Sequence, residues 1–158
     1  MDRNNLNPKT MKTTYVKTKQ ITCVSEPSMF EQKQIKSSKD AQEFARQFYH
    51  ADIELYESFF LMMLNRANMV TSYAKISQGG TSGTVVDPKI VAKYAVDDLC
   101  SNVIMVHNHP SGNTGPSEHD KAITKKIKDG LAMFDIQLFD HVILTSTSYF
   151  SFADTGLI

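Results

Sequence analysis

Apolar positions change period several times along this chain, and each change marks an expected element. Residues 53–64 begin with apolar side chains at every second position and end in a continuous run from Phe59 to Leu64. This predicts a strongly buried strand. Residues 69–76 read as its antiparallel partner, turned at Asn65-Arg66-Ala67-Asn68. Ala41, Phe44, Ala45 and Phe48 recur at helical spacing behind Ser38, which can serve as the cap. Gly79, Gly80 and Gly83 mark a loop. Asp87-Pro88 then starts a second helix with Ile90, Val91, Tyr94, Ala95 and Leu99 on its apolar side. Residues 102–106 form a short apolar strand that delivers His107 at its end. Ser117 opens a third helix ending near Gly130, and residues 136–145 and 148–152 are the last strands. A looser Thr- and Val-rich alternation over 13–24 suggests one more strand, followed by a linker over 26–35. Helices alternating with strands, plus one hairpin, predict an α/β domain: a mixed β-sheet flanked by helices.

With 158 residues and an apolar fraction of 41%, the chain suits one domain with an extension. The boundary is expected at 37/38, with a partly disordered basic extension over 1–37. Net charge is zero, but residues 1–40 carry eight Lys/Arg against four Asp/Glu, leaving nine against thirteen in the remainder. The basic stretch reads as a solvated tail, with nucleic-acid contact as the weaker reading. Cys23 and Cys100 are the only cysteines. They form no Cys-x-x-Cys pair, which removes zinc ribbons and thioredoxin-like sites. The first residues hold no apolar leader, and the run 59–64 is far too short to cross a bilayer. The expectation is a cytoplasmic protein with reduced thiols and no membrane contact.

The stretch from His107 to Asp120 changes the picture most. His107 and His109 sit at i and i+2, so in an extended segment both imidazoles face one side and can reach one metal ion. Asp120 offers a third, oxygen ligand once Pro110, Gly112, Gly115 and Pro116 fold the loop back. Three protein ligands with a fourth position left open is how catalytic zinc is usually held. Ser117-x-x-Asp120 has a second reading as a capping box, and an aspartate that caps does not easily ligate as well. Glu57 is the one charge on the face through Leu55, Phe59, Leu61 and Met63. Either it is buried and used as a base beside the metal, or that end of the strand is exposed and Glu57 meets water. Asn108, facing away from both histidines, braces the loop. His119 reads as a surface histidine. His141 reads as a packed core histidine with a satisfied hydrogen bond, ahead of a role beside the site. Lys121, Lys125, Lys126 and Lys128 spread over more than one helix face and read as solvated.

Glu57, then His107-x-His109, seven residues, then Ser117-x-x-Asp120 resembles the metal signature of the JAB/MPN (JAMM) metalloprotease superfamily in both residue type and spacing. The fuller string His107-Asn108-His109-Pro110-Ser111-Gly112, with Pro116-Ser117, Asp140-His141 and 151–156, is similar to the bacterial RadC family over residues 38–158. The resemblance implies a cytidine-deaminase-like JAB/MPN fold and a bound Zn2+ held by His107, His109 and Asp120. It implies Glu57 as general base and then acid, and Ser117 as a donor to the water or the developing oxyanion. The implied activity is a hydrolase, a zinc metallopeptidase cutting amide or isopeptide bonds in an unknown peptide or protein substrate. The family name also carries a DNA-repair label. The helix-hairpin-helix region of full-length members has no counterpart in residues 1–37.

Two other readings compete. In one, the chain is a DNA-associated accessory protein of repair or mobile-element maintenance, its basic extension contacting phosphates in a salt-dependent way. In the other it keeps the fold without catalysis, against which the intact ligand set argues. A nucleoside deaminase fits poorly, since it would want His-x-Glu with a later Pro-Cys-x-x-Cys and the chain offers two isolated cysteines. The apolar positions of 13–24 would cover a domain edge or pair with a second chain in a homodimer.

Overall fold

In the computed structural model, the structure describes residues 25–158 together with Thr18 and Gln20. The strand expected over 13–24 and the thiol of Cys23 thus lie outside the described residues, those two positions excepted. Five strands form one mixed sheet: β1 (Ser58–Leu64), β2 (Val70–Gln78), β3 (Asn102–Asn108), β4 (Gln137–Leu144) and β5 (Tyr149–Ser151), in the order β2-β1-β3-β4-β5. The β3–β4 pair is parallel and the other pairs are antiparallel. A parallel pair needs a crossover, and α3 (Glu118–Ala132) supplies it. The helix α2 (Pro88–Asp97) packs beside α3 on the same face, while α1 (Ser38–Ala45), continued by a 3-10 turn over Arg46–Phe48, covers the other. The architecture is the α/β fold expected, a sheet between helical layers.

The strand period divides the core in two. Phe60, Met62 and Leu64 of β1 face α1 together with Ile104 and Val106 of β3. Phe59, Leu61 and Met63 face α2 and α3 together with Val103 and Met105. Both central strands are buried along their whole length, so the continuous apolar run of β1 is explained by burial on both sides. An irregularity in the β3–β4 register lets Phe139 bulge out: Val103 pairs with Leu138, but Ile104 pairs with Asp140. A one-residue slip exchanges the faces of all following side chains. His141 therefore points to the α3 side, whereas Val142 and Leu144 join the α1 core.

Several expectations need correction. The first part of 53–64 is not strand: Ala51–Glu54 is a 3-10 turn, and β1 starts at Ser58. The cap of α1 is Ser37, whose hydroxyl accepts from the Asp40 amide, while the Ser38 hydroxyl donates to Asp154. On α2 only Val91 and Ala95 are buried; Ile90, Tyr94 and Leu99 are exposed. Leu99 lies just past the helix in a left-handed conformation (φ 54°). The segment read as a linker carries Phe30 and Ile35 onto the α1-side core, and Gln34 bridges to Met69. Among the described residues no helix is long and apolar enough to cross a membrane.

Leu61 sits at 0% exposure in the middle of β1. Replacing it with Ala removes apolar contacts and leaves a cavity, so Leu61→Ala should lower stability by about 3 kcal/mol, read from the urea midpoint at unchanged slope.

Candidate metal centre

The end of β3 sets the site. His107 is the next residue on the α3-side face after Val103 and Met105, and it pairs across β1 with Phe59. The His109 amide donates to the Leu144 carbonyl at 2.9 Å, which carries the extended course one residue past the strand. The two imidazoles therefore emerge on the same face, as expected from their spacing, with their Nε2 atoms 3.0 Å apart. Asn108 points to the other face. Its side chain donates to the carbonyls of Ile53 (2.7 Å) and Tyr56 (2.8 Å) and accepts from the Ser58 amide (2.8 Å). It is the brace expected, and it grips the segment that carries Glu57.

Asp120 arrives on the first turn of α3, capped by Ser117 in a full capping box. Its Oδ2 accepts from the Ser117 amide (2.7 Å) and hydroxyl (2.6 Å), while Oδ1 lies 3.3 Å from His107 Nε2. Oδ2 thus carries the capping bonds and also faces His109 at 3.7 Å, while Oδ1 is left to His107, and the two readings of Asp120 do not exclude each other. The helix N-terminus favours a negative charge there. Burial alone would raise this carboxyl, but the adjoining His107 and His109 rings and the Ser117 hydroxyl outweigh it and hold Asp120 well below the ordinary carboxylate range. The same contact raises His109 above the ordinary histidine range, against the opposing effect of its own burial.

Glu57 closes the ring from the opposite side. Its backbone is clasped to the glycine loop by Glu57 N–H to Gly80 O (2.9 Å) and Gly79 N–H to Glu57 O (2.8 Å). Its Oε1 lies 4.0 Å from His107 Nε2, and its side chain is only 13% exposed. Desolvation raises the Glu57 carboxyl, with His107 and His109 pulling the other way. Of the two readings of Glu57, the structure therefore supports the carboxylate turned inward.

Glu57, His107 and His109 offer ligand atoms within 4.8 Å of one another, a group able to hold a metal ion. Asp120 adds Oδ1 at 3.3 Å from His107 and Oδ2 at 3.7 Å from His109. Donors bonded to one divalent ion at about 2.0–2.2 Å stand about 3 to 3.5 Å apart; the 3.0 and 3.3 Å separations around His107 fall in that spacing, and the 3.7 Å separation from His109 lies just beyond it. The Nδ1 of His109 lies 2.7 Å from the Asn113 carbonyl, which only accepts. A neutral His109 therefore holds its proton on Nδ1 and presents a lone pair on Nε2. The donors thus fit a cation in both chemistry and spacing.

The group lies in a cleft of about 530 Å³. Thr81, Ser82 and Thr84 of the glycine loop line it, as do Ser111 and Asn113 of the loop after β3, and Ser117. His119 is exposed, as its surface reading has it, and also lines the cleft. His141, expected as a core histidine, is buried but stands against the site: its Nε2 is 2.8 Å from His107 Nδ1, and its Nδ1 is 2.6 Å from Thr124 Oγ1. The signals for these were faint. Thr124 lies four residues after Asp120, hence on the same helix face, and His141 needed the Phe139 bulge to reach this side.

Residues 35–157 match the family model of the RadC-like JAB domain. A UPF0758 protein of Flavobacterium johnsoniae is 43% identical over 126 residues, covering 79% of this chain and 54% of that protein. A UPF0758 protein of Coprothermobacter proteolyticus is 34% identical over 130 residues, 81% of this chain and 55% of its own length. The UPF0758 protein YfjY of Escherichia coli K12 is 38% identical over 102 residues, 65% of this chain and 64% of that protein. Fold, ligand spacing and these matches agree, and the chain belongs to the RadC-like JAB domain family. It spans about half the length of the first two relatives.

Asn108 is fully buried and makes three hydrogen bonds. Asn108→Ala leaves two carbonyls and one amide short of a partner. The expected loss is about 2–4 kcal/mol in urea unfolding, with new proteolytic cutting of the native protein confined to residues 53–57.

Proposed function

We propose that this protein is a zinc-dependent hydrolase of amide or isopeptide bonds. The observation that carries the reading is that His107 Nε2 stands 3.0 Å from His109 Nε2 and 3.3 Å from the Asp120 carboxylate, with the inward-turned Glu57 carboxylate across from them. His107, His109 and Asp120 are the proposed ligands. Two imidazoles and a carboxylate suit zinc, and three protein ligands leave a position open. A bound zinc ion supplies Lewis acidity that brings the deprotonation of water close to neutral pH.

The chain's own groups do the rest. Glu57 takes the proton from the attacking water and returns it to the departing amine. Its raised carboxyl suits both halves of that exchange, because a base poised nearer neutrality also serves as an acid. Ser117 lines the cleft, and its hydroxyl turns from Asp120 toward the oxyanion as that charge develops. The walls formed by residues 81–84 and 110–115 exclude water and hold an extended peptide segment. The substrate class is a peptide or protein amide, and the proposed working form is the domain from residue 38 onward behind its basic extension.

Purified protein should hold about one zinc per chain by elemental analysis, and His109→Ala should lose it. Glu57→Gln should keep the metal and lose turnover by at least about a hundredfold on whichever substrate a peptide and isopeptide screen returns. A wild type that takes up no metal after zinc reconstitution would overturn the hydrolase reading. Salt-dependent binding of DNA lost with residues 1–37 would favour the accessory-protein reading instead.

The pH dependence of zinc binding has a definite sign. Only neutral imidazoles ligate, and in the metal-free protein His109 keeps its proton to a higher pH than an ordinary histidine. Affinity should therefore begin to weaken at a higher pH than an ordinary histidine would set, and keep falling as pH drops through the histidine range, by about tenfold per unit for each proton displaced, as read by chelator competition.

A further inference from the structure

Thr124, His141 and His107 form a buried chain of hydrogen bonds leading from the backbone of α3 to the candidate metal centre. The Thr124 hydroxyl donates to the Asp120 carbonyl one helical turn earlier, and its oxygen lies 2.6 Å from His141 Nδ1. His141 Nε2 in turn lies 2.8 Å from His107 Nδ1. The direction of the chain can be worked out from its end. A backbone carbonyl only accepts, so the one Thr124 proton is committed to Asp120 O, and the Thr124 oxygen must accept from His141 Nδ1–H. His141 is at 0% exposure and among the described residues pairs with no carboxylate within ion-pair distance, so its neutral form is the one a buried site accommodates. Neutral and protonated on Nδ1, it carries a lone pair on Nε2. That lone pair accepts from His107 Nδ1–H, and His107 is left with its own lone pair on Nε2, which faces the lone pair of neutral His109 Nε2 3.0 Å away, an approach that calls for a cation between them.

We propose that the Thr124–His141 pair is a tautomer lock that makes His107 a ligand, so His141 is a positioning residue for metal binding rather than part of the inert core. The lock rests on the metal-site reading for its purpose, but its arrangement of protons exists without the metal. Rigid seating supports it. The His141 ring stacks on Phe152 (4.7 Å between centroids) and leans on Phe59 (5.6 Å). Its amide donates to Asp140 Oδ1, and its carbonyl accepts from the Phe152 amide. Asp140 is itself held by the Ser151 hydroxyl and the Ala153 amide. The ring has nowhere to turn, and the second bond of a ligating histidine is what fixes its tautomer and orientation.

The test uses the full chain in two readouts. Imidazole nitrogen NMR of the metal-free protein at about pH 8.5, well above the ordinary histidine range, reports which nitrogen of each ring holds the proton. Expected are Nδ1–H on both His107 and His141, and in Thr124→Val a shift of His107 toward the Nε2–H form. A wild-type His107 protonated on Nε2 overturns the lock. Zinc affinity by chelator competition is the second readout. His141→Phe keeps the stacking and removes the acceptor, and should weaken zinc about ten- to a hundredfold. His141→Gln restores an acceptor at the same reach and should recover most of that loss. Zinc binding in His141→Phe equal to wild type, or no recovery in a folded His141→Gln, also overturns it. If the wild type shows the expected tautomers but takes up no zinc, the hydrolase reading fails and with it the lock's service to metal binding, while the tautomer arrangement itself stands.

Discussion

The site depends on the alternation of side chains along β3 where the strand runs out of sheet. Val103 and Met105 fill the core under α2 and α3, Ile104 and Val106 fill the core under α1, and the same alternation continues through His107, Asn108 and His109. Two apolar cores hold the strand on both sides, so its last residues cannot rotate. The histidines are aimed by the burial of their predecessors, and Asn108 is aimed by the same constraint at the opposite segment, where it holds the turn before Glu57. One strand end thus fixes the two imidazoles directly and the facing carboxylate at one remove.

Asp120 shows how a buried charge is accommodated. A carboxylate taken out of water is costly unless it is met by donors. Here the helix N-terminus and the Ser117 amide and hydroxyl supply them, with the two imidazoles close by. Capping takes up Oδ2, which still faces His109, and leaves Oδ1 to His107. A side chain serving only as cap would be free to sit at the surface; this one is fixed by its helix and by the ring opposite.

Much of this was legible in the order of residues. The His-x-His spacing needs only the strand period to place two imidazoles together, and Ser117-x-x-Asp120 needs only helix capping. The hairpin at 65–68 and the start of α2 at Asp87-Pro88 follow from local turn and cap chemistry. What stayed hidden was decided by distant partners. Residues 53–57 have strand-like alternation, yet they turn because a side chain more than fifty residues away takes their carbonyls. Ser37 and Ser38 are equal as caps by type, and Asp154, at the far end of the chain, claims the second. Ile90, Tyr94 and Leu99 fit the helical period but stay exposed among the described residues. His141 looked like core because its role depends on which face it occupies.

That face is set by the extra residue at Phe139. A bulge is usually regarded as a way to bend or end a strand, but here it acts as a parity switch. Before it, odd and even positions of β4 belong to one pair of layers; after it, they exchange. Without the exchange, His141 would lie under α1, and the Asp140 side chain would point toward the histidines. The composition of the strand would be unchanged, while the ring behind His107 would be replaced by a second acid beside Asp120 and Glu57. The chemical character of this pocket is therefore stored partly in a count of backbone residues, a quantity invisible to any inspection of the ligands themselves.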